Sequence, residues 1–457
     1  MYKRIYFIGI VAYVVMFLFA IQFYKERIII LDTAFTLFHI INDHFFSIQV
    51  YRFGDVFNQC FPLLATMAGL SLNAVILCYS LGYVSYYFLC YLVAGTFLKQ
   101  YDFALTILLL NLLFVSDTFY WVTSQLPQAL AFLMVVLAYL RNNQDSDTKL
   151  LTWIMAIFGL VTVAFFHPLA VFVLAYAVFF FVSRKEPFLN KRILYGIVLI
   201  FVLAIEVKAI EFETPYEHSS MSGLKNFITQ FPDYFTLYSN KRFLLNCVSK
   251  YYWIPIMFGG VVIFYGTKKS WKKLLWFLAF FFGYLLLINV SYPSNATPVF
   301  YIESLYLPLS IFLGLPFVFE ILPSVAKKRL AIPAITLITV TGLVRIYLAH
   351  IPYTERLGYE RKYLDKYGTS KIIVRSNDKD DQMLQMLWGT PYELLLLSES
   401  ERHQPASIII DKDPMFRPWA TGINKAIIVN WGVYWYKDLD NKYFHFTDTV
   451  SGYTIIK

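Results

Sequence analysis

Charged residues are scarce in this chain. Only 15% of its 457 residues are Asp, Glu, Lys or Arg, whereas 58% are hydrophobic. A soluble domain is roughly half apolar and a quarter charged, so this composition excludes an ordinary soluble globule and indicates a lipid bilayer as the solvent. The 44 Phe and 35 Tyr residues are typical of a lipid-facing protein with aromatic belts at its interfaces.

Cysteines and catalytic signatures are few as well. Cys60, Cys78, Cys90 and Cys247 show neither a disulfide framework nor the spacing of zinc ligands. The sequence has no glycine-rich phosphate loop, no dinucleotide fingerprint, no zinc-protease helix and no nucleophile elbow. An enzyme built this way needs a substrate that is already activated and is presented in the membrane.

Apolar runs predict a polytopic α-helical membrane protein with about eleven transmembrane helices. They cover residues 5–23, 71–97, 103–121, 126–140, 151–166, 168–183, 193–209, 251–266, 274–290, 302–322 and 330–349. The sequence Phe166-His167-Pro168 separates two of these runs, and its proline favours a tight hairpin over one long kinked helix.

The net charge of +9 comes largely from basic residues between the apolar runs. We interpret it as an orientation signal and not as a nucleic-acid footprint. With a cytoplasmic N-terminus and alternating helices, the inner loops hold Lys3, Arg4, Lys99, Arg141, Lys149, Arg184, Lys185, Lys191, Arg192, Lys268, Lys269, Lys272, Lys273, Lys327, Lys328 and Arg329. Without the hairpin at His167, the lysines of 268–273 would lie outside, so this distribution supports the hairpin.

Two regions follow from this topology: a transmembrane domain over 1–350 and a small extracytoplasmic α/β domain over 351–457. The second region is predicted to form strands and one helix. The strands are expected at 371–375, 407–411, 426–430 and 453–457, and the helix at 378–387.

The first outer segment carries the main candidate residues. Its residues 33–51 have helical periodicity, which predicts a helix lying in the membrane interface with its apolar side in lipid. Asp32, His39 and Asp43 fall on one polar stripe of that helix, and His39 lies one turn from Asp43. Each also has a plainer explanation, since Asp32 is suited to cap the helix and the other two to solvate it.

Four further residues are candidates for substrate binding. Arg52 is suited to clamp a lipid phosphate or merely to reach the headgroups. His167 lies at the hairpin tip, and Tyr301 and Glu303 lie near the start of a predicted helix. An aromatic belt or a helix cap is the alternative explanation for these three. Ionisable residues fall near the predicted helix ends and not in their middles, which argues against ion-coupled transport.

The layout resembles the GT-C class of membrane glycosyltransferases, such as protein O-mannosyltransferases and the lipid A aminoarabinose transferases. These enzymes have a long first outer loop whose early acidic residue is catalytic, and Asp32 occupies that place here. The sequence Trp388-Gly-Thr-Pro-Tyr-Glu393 is similar to the tails of bacterial proteins of this type. The resemblance implies a polyprenyl-phosphate-linked sugar donor, Asp32 as general base and Arg52 as the partner of the departing lipid phosphate. It implies no certain cofactor and leaves a divalent cation open.

We therefore expect a glycosyltransferase of the bacterial plasma membrane whose partners are the bilayer, the lipid-linked sugar and an unidentified acceptor. Two alternatives stay open: a polymerase or assembly protein for envelope polysaccharide, and a non-enzymatic, transporter-like protein.

Overall fold

The protein is mostly helical, with a small sheet region near its C-terminus. A computed structural model describes residues 2–143, 150–186, 191–212, 214–215, 222–294, 297–326, 330–368, 370–448 and 450–456. The N-terminal helices are α1 Tyr2–Gln22, α2 Tyr24–Ile28, α3 Leu31–Asp43, α4 Val56–Met67, α5 Leu72–Leu92, α6 Tyr101–Leu110, α7 Gln125–Asn142, α8 Leu150–Phe166, α9 Ala170–Ser183 and α10 Lys191–Glu211. The next helices are α11 Asn226–Thr229, α12 Tyr238–Ser249, α13 Trp253–Thr267, α14 Trp271–Ser291, α15 Val299–Tyr306, α16 Pro308–Pro316, α17 Leu322–Ala326, α18 Ala331–Leu348 and α19 Ile351–Tyr367.

Within the described residues, five helical stretches are long and apolar enough to cross a membrane, and a sixth is added if α12 and α13 form one span bent by 91°. The five are Tyr2–Gln22, Leu72–Phe97, Trp271–Ser291, Val299–Val325 and Ala331–Tyr367. The expectation of a membrane protein is thus supported, whereas a count of eleven spans is not confirmed. The helices α6, α8 and α9 are apolar but shorter.

The outward side of α1 shows why a bilayer is needed. Large apolar side chains recur along this helix every three or four residues and remain exposed: Phe7, Val11, Val14, Leu18 and Ile21. Such a stripe would be costly in water but is well solvated by lipid tails.

The run at 103–121 departs from its predicted helix. The helix α6 ends at Leu110, and a loop follows that contains a short 3-10 turn at Asp117–Tyr120. The backbone N–H groups of Ser116 and Thr118 donate to the Glu303 carboxylate at 2.7 and 2.8 Å instead of to helical carbonyls. Hydropathy contains no information about this distant partner.

Helices α8 and α9 run in opposite directions on either side of His167. The end of α8 packs near the start of α4, where the Phe166 and Phe57 rings are 6.1 Å apart. The end of α9 instead brings Arg184 to Glu320, near Arg141 at the end of α7. The chain therefore turns back at His167, as the proline predicted.

Ion pairs gather at the end of the helices where α1 begins, which we call the ion-pair end. Arg141, Arg184 and Lys273 come from three segments that were predicted to face the same side, and they meet there. Their pairs are Arg141–Asp102, Arg184–Glu186 (3.0 Å), Arg184–Glu320 (3.4 Å) and Lys273–Glu320 (2.6 Å). The predicted inner-loop residues 149 and 327–329 lie outside the described residues. The opposite end, where α1 finishes and α3 begins, is called the Asp32 end.

The C-terminal region forms two small sheets. Its elements are β1 Lys371–Arg375, α20 Asp378–Leu384, α21 Thr390–Arg402, β2 Ser407–Asp411, β3 Ala426–Val429, β4 Gly432–Trp435 and β5 Thr454–Ile456. Strand β1 lies between β2 and β5 in a parallel sheet, and β3 and β4 form an antiparallel pair. The predicted strands are confirmed within a residue or two, whereas β4 and α21 were not predicted.

This region packs directly against the membrane helices. Leu394 to Leu397 of α21 are buried in the same apolar core as α1, α3 and α5. Asn73 at the start of α5 donates to the Ser400 carbonyl at 2.9 Å, and Lys25 pairs with Glu401 at 3.0 Å. The 351–457 region thus shares most of its core with the helices, apart from a small cluster around Ile373, Ile409 and Tyr453.

The helix α3 is shorter than predicted. It covers Leu31–Asp43 and not 33–51, because His44 takes a left-handed φ of 49° and ends it. Its apolar side chains Leu37, Phe38 and Ile41 are fully buried. Phe38 contacts Tyr392 and Phe444 of the C-terminal region, so protein covers the face that was expected to lie in lipid.

The ion-pair end should contribute measurably to stability. We expect Glu320→Gln to lower the free energy of unfolding by about 1–3 kcal/mol, because the largely buried Glu320 pairs with two cations. Asp381→Asn is the control, since its pair with Lys412 is 41% and 72% exposed and should change stability by less than about 0.5 kcal/mol. Thermal unfolding in detergent measures both, and equal effects would contradict this assignment.

Candidate functional site

Asp32 is the second residue of α3 and is only partly exposed. Burial raises the pKa of Asp32 to about 6; the Trp121 indole beside it and the charge of Arg52 lower it, while Glu393 raises it. A carboxyl group with such a pKa is mostly ionised at neutral pH yet retains appreciable basicity, which is the property a general base requires.

Asp55 is a second carboxylate at the same end, buried at the end of the short turn Phe53–Asp55. It accepts hydrogen bonds from the side-chain amides of Gln59 at 2.7 Å and Gln128 at 3.5 Å. Burial raises the pKa of Asp55 to about 6 against the lowering effect of these amides and of Arg52. Asp55 is not among the site residues predicted from the sequence.

Arg52 is a cation at the same end of the helices. Its charge acts on both Asp32 and Asp55, and its Nη1 donates to Gln125 Oε1 at 3.1 Å. The charge of the same guanidinium also acts on His167. Burial, followed by the positive charges of Arg52 and Lys208, lowers the pKa of His167 well below its ordinary value, so this imidazole is neutral at physiological pH.

Several buried polar atoms around these carboxylates have no hydrogen-bond partner within the part of the chain that the structure describes. They are the Tyr79 and Thr123 hydroxyls and the side-chain oxygens of Asn58 and Gln128. Buried polar groups are nearly always paired in folded proteins. Such a concentration is therefore typical of a site whose remaining partners come from a polar ligand or from water.

Glu303 holds the loop that carries Trp121. It is fully buried and, besides the two backbone donors described above, accepts the Tyr251 hydroxyl at 3.0 Å. Tyr301, two residues earlier, packs its ring on the Trp121 indole with centroids 5.5 Å apart. Glu303 thus supports the site from behind, whereas Tyr301 lies beside it.

His39 and Asp43 point to a different surface. Their side chains are paired at 3.0 Å, and the other His39 nitrogen lies 3.5 Å from the Tyr434 hydroxyl of β4. His39 is seven residues beyond Asp32, roughly 10 Å along the helix. The structure therefore brings Asp32, Arg52, His167 and Tyr301 together, and it places His39 and Asp43 against the C-terminal region.

Metal ligands were left open by the sequence. Over the described ranges, no three His, Cys, Asp or Glu side chains converge in a way that would hold a metal ion.

Comparison with protein-family models, curated proteins and solved structures found no match to this chain.

Asp55 and the polar residues around it were partly foreseeable. Arg52-Phe-Gly-Asp55 places opposite charges close together after the first apolar helix, and Gln125 and Gln128 lie one turn apart. The position of Trp121 was not foreseeable, since it depends on the loop held by Glu303.

The raised pKa of Asp32 predicts that this residue destabilises the folded protein at neutral pH. Its ordinary value is 3.8 and its folded value about 6, so ionisation opposes folding above that range. Asp32→Asn should therefore increase the free energy of unfolding by about 1–3 kcal/mol at pH 7.5, and this gain should shrink as pH falls from about 6 to about 4. Thermal unfolding across that pH range is the measurement, and a loss of stability at pH 7.5 would contradict the assignment.

Proposed function

We propose that this chain is a GT-C-type membrane glycosyltransferase that transfers a sugar from a polyprenyl-phosphate donor to an acceptor at the outer face of the membrane. The observation that carries the proposal is the pair of carboxylates, Asp32 and Asp55, acted on by one guanidinium, Arg52, among buried polar atoms that have no hydrogen-bond partner in the described chain. In this proposal the predicted eleven spans hold, with a cytoplasmic N-terminus and an extracytoplasmic C-terminal region.

The chemistry assigns one role to each charge. The Asp32 carboxylate accepts the proton of an acceptor hydroxyl while the oxygen of that hydroxyl bonds to the anomeric carbon of the sugar. The bond between that carbon and the phosphate oxygen breaks, and its electron pair leaves with the polyprenyl phosphate. Arg52 stabilises the negative charge on the departing phosphate, and Asp55 holds Arg52 and Gln128 in place.

The charge of Lys208 extends the positive environment of Arg52 toward His167, at the tip between α8 and α9. In this proposal the phosphate of the polyprenyl donor binds beside these groups and Arg52. Neutral His167 would donate a hydrogen bond to that phosphate without adding a charge.

Donor cleavage is the most direct test, because water can replace an unidentified acceptor. Purified protein in proteoliposomes is supplied with a panel of radiolabelled polyprenyl-phosphate hexoses and pentoses, and release of the free sugar is followed. Asp32→Asn should reduce turnover by about 10²-fold or more. Asp365→Asn, at a 70% exposed carboxylate, is the matched control and should leave turnover unchanged.

The pH profile should carry the same signature. Turnover requires the ionised Asp32, whose pKa is about 6, so activity should rise between pH 5 and 7 and level off above. Full activity of Asp32→Asn, or no cleavage of any donor in the panel, would contradict the proposal and favour a polysaccharide assembly protein or a transporter.

A further inference from the structure

The backbone immediately before Asp32 is strained. Leu31 has a φ of 38°, in the left-handed region that a branched, non-glycine side chain rarely adopts. Such a conformation persists only where surrounding contacts hold it, and it is often found at functional sites. The contacts that hold Leu31 come from the far end of the chain.

Glu393 of α21 is the residue that holds it. The Leu31 N–H donates to Glu393 Oε1 at 2.5 Å, across 362 positions of sequence. Arg356 of α19 fixes that carboxylate in turn, because its Nη2 lies 2.8 Å from Oε1 and 2.6 Å from Oε2. All of these groups are buried, so the orientation of the Glu393 carboxylate is set by the guanidinium and not by solvent.

Gly389 also lies close to Leu31. A Cβ atom at this position would lie 2.9 Å from Leu31 Cα and 2.8 Å from Leu31 Cδ2. The first of these is a backbone atom that has no rotamer to move away. Gly389 therefore approaches the backbone before Asp32 too closely to leave room for a side chain.

We infer that segment 388–393 is part of the active site, with Glu393 as a positioning residue that holds Leu31 in its strained conformation and so aims Asp32 at the acceptor. The catalytic role of Asp32 rests on the proposed function, whereas the structural coupling does not. The C-terminal region is then a required part of the enzyme and not an appended module.

The charged and titratable groups that interact with Asp32 come from three elements. Glu393 belongs to α21 and Arg52 to the segment after α3, while the neutral Tyr79 of α5 is affected by the charges of both Asp32 and Asp55. Glu393 is the negatively charged member of this set that belongs to the C-terminal region. Removing its charge should therefore lower the pKa of Asp32, because the other groups around Asp32 remain in place.

The first experiment measures this coupling without any substrate. Tryptophan fluorescence is measured as a function of pH. The pH-dependent change that disappears in both Trp121→Phe and Asp32→Asn reports the titration of Asp32. Glu393→Gln should move its midpoint to lower pH. The fold should persist, because the glutamine oxygen can still accept the Leu31 N–H and Glu360 remains 3.3 Å from Arg356.

Glu401→Gln is the matched control. It removes a carboxylate from the same helix, but Glu401 pairs with Lys25 and Arg361 and is not among the charges that act on Asp32. Its midpoint should equal that of the parent. An unchanged midpoint in Glu393→Gln, or an equal shift in Glu401→Gln, would overturn the inference.

The second experiment uses donor cleavage and tests positioning itself. Gly389→Ala should lower kcat on the order of 10²-fold with little change in KM, since a displacement of about 1 Å at a reacting group has effects of that size. Gly358→Ala on α19, where an added Cβ meets nothing within 4 Å, should leave kcat unchanged. Equal activity of the two variants would overturn the inference.

The outcomes separate this inference from the proposed function. If Asp32→Asn retains full turnover, the proposed function fails, and the fluorescence titration alone decides whether Glu393 is coupled to Asp32. If Asp32→Asn is inactive while Gly389→Ala matches Gly358→Ala, the proposed function stands and the positioning role fails.

Discussion

The Asp32 end of the protein depends on the carboxylate of Glu303. A buried backbone N–H without a partner costs about 1–3 kcal/mol, and the loop between α6 and α7 would carry at least two such groups into the interior. Glu303 accepts both, from Ser116 and Thr118, and the loop can then remain folded between helices. Because this loop delivers Trp121 to Asp32 and Asp117 to Lys250, one buried acid organises residues from four separate segments.

Sequence reasoning was most reliable where solvent alone decides the structure. The bounds of α8, α9 and α18 match the apolar runs closely, because exclusion from water acts on composition. The strands β1 and β2 were also predictable, since short runs of isoleucine and valine bounded by polar residues have few alternatives.

The same reasoning failed where a distant polar partner decides. The helix predicted over 103–121 is cut at Leu110 by acceptors on α15, and the face of α3 expected in lipid is covered by Tyr392 and Phe444. In the candidate site, Asp32 was predictable from its place after the first helix, whereas Asp55 gained its importance only through the burial that folding imposes.

Carboxylates have opposite effects on stability at the two ends of the helices. At the ion-pair end, Glu320 and Glu186 lie beside cations and stabilise the fold. At the Asp32 end, burial raises the pKa of two carboxyl groups that share a single guanidinium, which opposes folding at neutral pH. Stability sacrificed in this way is a recurrent property of functional sites.

The contact between Leu31 and Glu393 also has a consequence for biosynthesis. Their 362-residue separation means that a ribosome working at about 5–20 residues per second reaches Glu393 roughly 20–70 s after Leu31. During that interval the helices insert one after another, while the residue before Asp32 lacks its acceptor. Chains that terminate before Glu393 lack the acceptor for the Leu31 N–H. The candidate site can therefore reach its final geometry only after Glu393 has been synthesised.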